Sequence, residues 1–168
     1  SVINTGQEMN GSLTNTPVPN GNEGWGRIFL KNMFDTSVPI KRINQTREFF
    51  NPGENVVYTG TIGNSAKPFR VTLVWTDPPG AVDPALVNNL DLIVQIGNNT
   101  YNGNVFSNGN STTGGNNSTI DNVENVFLPA GIPAGTQITV TVRATALNGN
   151  GILGNDDSTD QHFSLVAY

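Results

Sequence analysis

The catalytic chemistry open to this chain is limited by its single histidine, His162, and by its lack of cysteine. A Ser-His-Asp triad would have to use His162, and cysteine nucleophiles, disulfides and thiolate zinc sites are excluded. Alternation along 160–166 places Phe163 and Leu165 on one face of a strand and His162 on the other. The sequence contains no Gly-x-Ser-x-Gly nucleophile elbow. We therefore predict that His162 is an ordinary surface histidine and that the chain performs no triad chemistry.

The 13 acidic residues leave a second reaction, glycoside hydrolysis by a pair of carboxylates, open on spacing alone. Such active sites normally lie in aromatic-lined clefts. The two tryptophans of the chain, Trp25 and Trp75, both lie in segments that we interpret as structural. We therefore favour solvated or metal-bound carboxylates over an acid–base pair.

The densest group of oxygen-bearing side chains lies in residues 76–92, between two apolar segments. Asp77 follows the first segment at a proline turn, Asp83 lies in the loop, and Asn89 and Asp91 open the second segment. Hard cations bind several carboxylate, amide and backbone oxygens, so these four residues predict a calcium site. The alternative is that Asp77 stabilises its own turn and that Asp91 accepts nearby backbone amides. Two further candidate groups are Asp156 and Asp157 with Asp160, and Asp121 with Glu124.

The main structural signal is the alternation of apolar and polar residues in short segments. In 69–76 and in 136–146 every second residue is apolar, which is typical of strands with one buried face. Residues 97–122 are so rich in asparagine, glycine and serine that we expect a long hairpin loop there. The whole pattern predicts an all-β protein, an antiparallel β-sandwich with the jelly-roll arrangement of about eight strands. Candidate strands lie at 38–48, 56–62, 69–76, 90–96, 123–128, 136–146 and 161–168.

Residues 1–35 have a different character, because they combine a loop rich in Asn, Pro and Gly with few alternating apolar residues. We expect 1–35 to be the tail of a preceding domain or a linker arm, and 36–168 to be the sandwich. Trp25 and Ile28 are expected to be partly buried where this arm lies against the sandwich.

The charge balance bears on the partners of the chain. The net charge is −5, the isoelectric point is near 4.6, and the eight Lys and Arg residues form no patch along the sequence. Because an acidic surface repels phosphate backbones, no nucleic-acid partner is expected. No apolar run approaches 18 residues, so no membrane partner is expected either. We expect a monomer.

Two sets of residues resemble subtilisin-like serine proteases. The first set, 2–6 and 22–30 with its Gly-Trp-Gly-Arg segment, is similar to the closing stretch of a subtilase catalytic domain. The second set follows the order of the jelly-roll domain that lies C-terminal to the catalytic domain in alkaline, calcium-dependent subtilases. It is also broadly similar to the P-domain of kexin-type proteases. This second set comprises 73–80, 86–92, 101–106, 121–126 and 161–166.

The resemblance implies a non-catalytic accessory domain of a secreted, extracellular serine endopeptidase, whose triad would lie upstream of this chain. The domain would stabilise the protease or shape access to its active site, its partner would be the catalytic domain of the same protease, and calcium would be its cofactor. The family often has Asp where this chain has Asn89, which would weaken a metal site by one charge.

A second function remains open, because similar sandwiches also serve as modules that tether an enzyme to an insoluble polysaccharide or protein fibre. Such modules usually expose a row of aromatic side chains. Here the candidates for exposure are few, Tyr101 and Phe106, which favours the accessory domain.

Overall fold

Nine β-strands and almost no helix make up the chain in the computed structural model, which describes residues 1–11 and 16–168. Residues 12–15, part of the predicted arm, lie outside the described residues. The helical elements are one 3-10 turn (Ile3–Thr5) and the single-turn helix α1 (Leu30–Met33). The strands are β1 (Lys41–Phe49), β2 (Asn55–Thr61), β3 (Phe69–Val74), β4 (Asn89–Ile96), β5 (Asn99–Ser107), β6 (Asn110–Thr113), β7 (Val123–Leu128), β8 (Gln137–Ala146) and β9 (Gln161–Ala167).

The strands form two antiparallel sheets, sheet 1 in the order β1-β9-β3-β7 and sheet 2 in the order β2-β8-β4-β5-β6. Apart from β4, β5 and β6, which follow one another in sheet 2, consecutive strands alternate between the sheets, as in the two interlocked Greek keys of a jelly roll. The four-residue strand β6 is an addition at the edge of sheet 2. The predicted antiparallel jelly-roll sandwich is confirmed, with nine strands instead of about eight.

The core lies between the sheets and is built by the predicted alternation. Val71 and Leu73 of β3 face Val94 and Val142 of sheet 2, and all four side chains are buried. Burying such side chains stabilises the fold by about 1.5–3 kcal/mol each. The apolar face of each strand therefore determines which side of each sheet turns inward.

The expectation of a long loop at 97–122 is wrong, because β5 and β6 occupy residues 99–107 and 110–113. Polar side chains of β5 and β6 form hydrogen bonds with the backbone of β7, with which these strands share no backbone ladder. Asn104 Nδ2 donates to Val123 O at 2.7 Å, Asn104 Oδ1 accepts the amide of Asn125 at 3.0 Å, and Ser111 Oγ accepts the amide of Phe127 at 2.9 Å. These bonds connect β5 and β6 to β7 across the open side of the sandwich.

Charge is distributed unequally between the two ends of the sandwich. The register pairs Phe49 with Gln161, Asn55 with Arg143 and Val74 with Val123, so these residues mark one end. Ten of the thirteen acidic residues lie in the strand termini and loops of this "acidic end"; they are Glu48, Glu54, Asp77, Asp83, Asp91, Asp121, Glu124, Asp156, Asp157 and Asp160.

At the opposite "basic end", Lys41 pairs with Ala167 and Thr61 pairs with Gln137. Lys41, Arg42, Lys67 and Arg70 lie at this end. Basic residues that are dispersed along the sequence are thus gathered by the topology.

The N-terminal segment packs against the outer face of sheet 1. Asn4 is fully buried there, and Thr72 Oγ1 lies 3.0 Å from Asn4 Oδ1 and 2.6 Å from Asn125 Oδ1. Trp25 is half-buried with its ring 6.0 Å from that of Phe127, as predicted. The expectation for Ile28 is wrong, because its side chain is 61% exposed. Ile28 belongs with Leu30 and Phe34 to a strip that the described residues leave uncovered.

Candidate cation site

Asp77 and Asp83, two of the four predicted calcium ligands, have different surroundings. The Asp77 carboxylate accepts the amides of Val87 at 2.8 Å and Asn88 at 2.7 Å, one on each oxygen. It therefore holds the end of the β3–β4 loop, which is the structural role considered as the alternative. Asp83 is exposed in the middle of that loop.

Asn88 organises the acidic end from a fully buried position. Its Nδ2 donates to Gly149 O at 2.9 Å and to Gln161 Oε1 at 2.9 Å, and its Oδ1 accepts the amide of Asn148 at 2.8 Å. The backbone carbonyl of Asn88 accepts Trp75 Nε1 at 2.9 Å. One side chain thus connects the β3–β4 loop to the β8–β9 loop.

Asn89 and Asp91, the other two predicted ligands, are close together and both buried. Asn89 Nδ2 lies 3.5 Å from Asp91 Oδ1, while Asn89 Oδ1 is buried without a hydrogen-bond partner among the described residues. Asp91 Oδ2 accepts Asn117 Nδ2 at 2.6 Å and also the hydroxyl of Thr145. Asp91 is therefore held in place by neutral donors, and no basic side chain forms an ion pair with it in the described part of the chain.

Glu124 completes this site from β7, where it shares the inward face with Val126 and Leu128. Pairing of β4 with β5 begins only at Ile93, and Glu124 Oε2 accepts the preceding amide, that of Leu92, at 2.6 Å. A Cβ at Gly103 would lie 2.3 Å from Glu124 Oε2, so the carboxylate needs glycine at this position of β5. Glu124 Oε1 is buried with no hydrogen-bond partner among the described residues.

The electrostatics of this site oppose a second negative charge. Burial is the main cause that raises the pKa of Glu124 to about 8, and the nearby Asp91 and Asp121 carboxylates contribute to this rise. The Leu92 and Ser118 amides oppose this rise. Without a positive charge beside it, Glu124 is protonated at neutral pH.

We refer to Asn89, Asp91 and Glu124 as the carboxylate pocket, because Glu124 accepts the Leu92 amide next to Asp91 and the Asp91 charge acts on it. Together these residues carry two carboxylates and an amide oxygen, and two of their buried oxygens, Asn89 Oδ1 and Glu124 Oε1, have no hydrogen-bond partner among the described residues. Buried oxygens without partners are costly, and a hard cation that prefers oxygen ligands would satisfy them. The residues fit calcium better than a transition metal, because the pocket contains neither histidine nor cysteine.

A second acidic group lies at the same end of the sandwich. Carboxylate oxygens of Glu48, Asp157 and Asp160 lie within 4.8 Å of one another. Asp160 Oδ1 already accepts the amides of Gly151 at 2.7 Å and Ile152 at 3.0 Å, while Glu48 and Asp157 are exposed. Because exposed carboxylates are satisfied by water, this group has less need of a cation than the carboxylate pocket. It corresponds to one of the two further candidate groups in the sequence, without Asp156.

The sequence pointed only weakly to Glu124, which appeared in a secondary pair with Asp121. A stronger signal was present, since Glu124 stands in register with the apolar residues Val126 and Leu128 of a predicted strand. His162 is half-buried on β9 opposite Glu48 of β1. Its alternation with the buried Phe163 and Leu165 follows the prediction.

The comparisons with known proteins identify no family: no protein-family model matches the chain, and a search of curated proteins finds no significant match. Within the described residues, no helix has the length and apolarity needed to cross a membrane.

Proposed function

We propose that this chain is the non-catalytic C-terminal accessory domain of a secreted subtilisin-like serine endopeptidase, and that calcium bound in the carboxylate pocket stabilises it. The observation that supports this proposal most is the spatial convergence of the segments that resemble the subtilase jelly-roll domain. Four of the five segments, 73–80, 86–92, 121–126 and 161–166, reach the acidic end.

Side chains of these segments form hydrogen bonds with backbone groups of the other segments. Asn122 Nδ2 donates to Trp75 O at 3.0 Å, and Gln161 Nε2 donates to Thr76 O at 3.0 Å. The Glu124 carboxylate accepts the amide of Leu92, which lies 32 positions earlier. If this chain shares its fold and its cation-binding end with the subtilase jelly-roll domain, we expect the resembling segments to be joined by such bonds.

Calcium would act on stability, with no role in covalent chemistry. It would supply the positive charge that allows Asp91 and the buried Glu124 to be ionised together. Extracellular calcium modules typically bind with a dissociation constant of about 0.1–1 mM. At about 2 mM free calcium, such binding adds about 0.6–1.8 kcal/mol to the free energy of unfolding.

The alternative, a module that tethers an enzyme to an insoluble polymer, has less support. Tyr101 packs against the hydrophobic core, and Phe106 packs against Trp25 and Phe127 with ring centroids 6.1 Å and 5.7 Å away. These two aromatics, the candidates for a flat binding surface, are therefore engaged within the fold.

The first test compares the parent protease with a form that ends after residue 35 and so lacks only the sandwich, residues 36–168. We expect equal turnover of small fluorogenic peptides, but faster thermal inactivation of the truncated form in millimolar calcium. The isolated chain should hydrolyse none of these peptides. Peptidase activity that is retained through purification of the isolated chain and is lost in His162→Ala would contradict the proposal.

The second test separates the two functions by pull-down on cellulose, chitin and collagen. The accessory domain should stay in solution with all three polymers. Saturable retention on one of them, reduced by Tyr101→Ala, would favour the tethering module instead.

A further inference from the structure

The basic end contains an apolar cleft that the proposed function does not use. Its volume is about 300 Å3, and it opens where β1 and β2, the edge strands of the two sheets, separate. Its main apolar lining residues are Tyr58, Ile62, Phe69, Ile138, Val140 and Leu165. Pockets for small molecules begin at about this size and have this predominantly apolar lining.

The cleft exists because a glycine occupies an inward position. On β2, Val56 and Tyr58 pack against the core, and Gly60 is the next residue with the same parity. Gly60 lies opposite Ile138 in the register with β8. A Cβ built at Gly60 meets no atom within 4 Å, and the φ of this residue is not in the left-handed region. Neither the available space nor the backbone conformation therefore requires glycine here.

The mouth of the cleft carries positive charge, in contrast to the net charge of −5 for the chain. Lys41 and Lys67 line it. Lys67 is paired with Asp35 at 2.6 Å, whereas Lys41 forms no ion pair within the described part of the chain. The charge at the mouth therefore complements an anion that has an apolar body.

We propose that this cleft binds a medium-chain carboxylate, with the alkyl chain between the sheets beside Gly60 and the carboxylate at Lys41. A cavity of about 150 Å3 holds benzene, so this cleft has room for roughly ten carbon atoms. Burial of one methylene strengthens binding about fourfold. Affinity should therefore rise about 15-fold from hexanoate to octanoate and again from octanoate to decanoate.

Isothermal titration calorimetry tests whether the alkyl chain binds in the cleft. The ligands are hexanoate, octanoate and decanoate, each below the concentration at which it forms micelles. Gly60→Leu fills the cleft and should weaken decanoate binding at least 20-fold. Val57→Leu, the matched control on the exposed face of the same strand and outside the cleft, should change it less than twofold. Ile138→Phe is a second filling variant, and melting curves establish that all three variants fold.

Lys41→Gln tests the charged part, with decanol as the neutral ligand of equal chain length. Decanoate binding should weaken about two- to fivefold, as expected for an exposed ion pair, while decanol binding stays unchanged. Methyl resonances of Ile62, Ile138 and Leu165 should shift on titration. Equal binding to the Gly60→Leu and Val57→Leu proteins, or equal loss of decanoate and decanol binding in Lys41→Gln, would overturn the proposal.

Discussion

Replacing Glu124 with glutamine should have opposite effects on stability with and without calcium. The pKa of Glu124 is raised from 4.5 in the unfolded chain to about 8 in the folded one. The folded state without metal therefore binds this proton more tightly than the unfolded state. Its contribution to stability is complete below about pH 4.5 and is lost as the pH rises to about 8.

The size of this effect follows from the difference between the two pKa values. Each pKa unit corresponds to about 1.4 kcal/mol, so the metal-free protein loses about 3 kcal/mol by pH 7 and about 5 kcal/mol above pH 8. Glutamine keeps an oxygen for the Leu92 amide and carries no charge. Its amide hydrogens lack partners in the pocket, which costs about 1–3 kcal/mol. At pH 8 in EDTA we therefore expect Glu124→Gln to be more stable than wild type by about 2 kcal/mol.

Calcium should reverse this order. Wild type gains stability because the cation pairs with both carboxylates, whereas Glu124→Gln has lost one ligand and gains little. Urea unfolding, followed through the fluorescence of the buried Trp75, measures the four combinations of protein and calcium at pH 5.5 and pH 8. Asp83→Asn removes one charge from an exposed residue of the same end and is the matched control. The pKa values of Asp35 and Glu54, which their hydrogen bonds lower, affect wild type and variant equally.

Two outcomes would refute this reasoning. If Glu124→Gln is destabilised equally at both pH values in EDTA, Glu124 acts only as a hydrogen-bond acceptor and its charge is unimportant. If calcium stabilises the variant as much as wild type, the cation binds elsewhere, and Glu48, Asp157 and Asp160 become the residues to replace.

Three further predictions concern neighbouring parts of the fold. Asp77→Ala should lower the melting temperature by the same amount in calcium and in EDTA, because Asp77 bonds the Val87 and Asn88 amides; a larger loss in calcium would make Asp77 a ligand. Gly103→Ala should lower the free energy of unfolding by about 1–3 kcal/mol, because the new methyl group would displace Glu124 Oε2. It should also reduce the calcium-induced shift in melting temperature, whereas the control Gly97→Ala, at a turn, should leave that shift unchanged. Thr72→Val should lower the free energy of unfolding in urea by about 2–3 kcal/mol, because the side-chain oxygens of Asn125 and Asn4 lose their shared partner. Thr139→Val on sheet 2 should cost less than about 1 kcal/mol, and equal losses would mean that these two contacts add nothing.

The positions of seven of the nine strands could be predicted from the sequence, and for the most regular of them the inward face as well. In β3 and β8, alternation with period two encodes which side chains are buried, and this information is local. β5 and β6 could not be predicted in this way, because their stabilising partners are distant. Asn104 forms bonds in place of a ladder only when β7 lies beside it.

The residues of the candidate site could likewise be predicted only in part. Asn89 and Asp91 lie two positions apart at the start of a strand, and composition alone indicates that oxygen ligands gather there. The sequence by itself does not determine that Asp77 is occupied by amides, that Asp83 stays in solvent, or that Glu124 arrives from β7. Only the crossing of β4 and β7 between the two sheets brings Glu124 to Leu92, because the burial that shifts its pKa comes from strands distant in the chain. The Gly60 cleft has the same origin, since one missing side chain becomes a cavity only where two sheet edges separate.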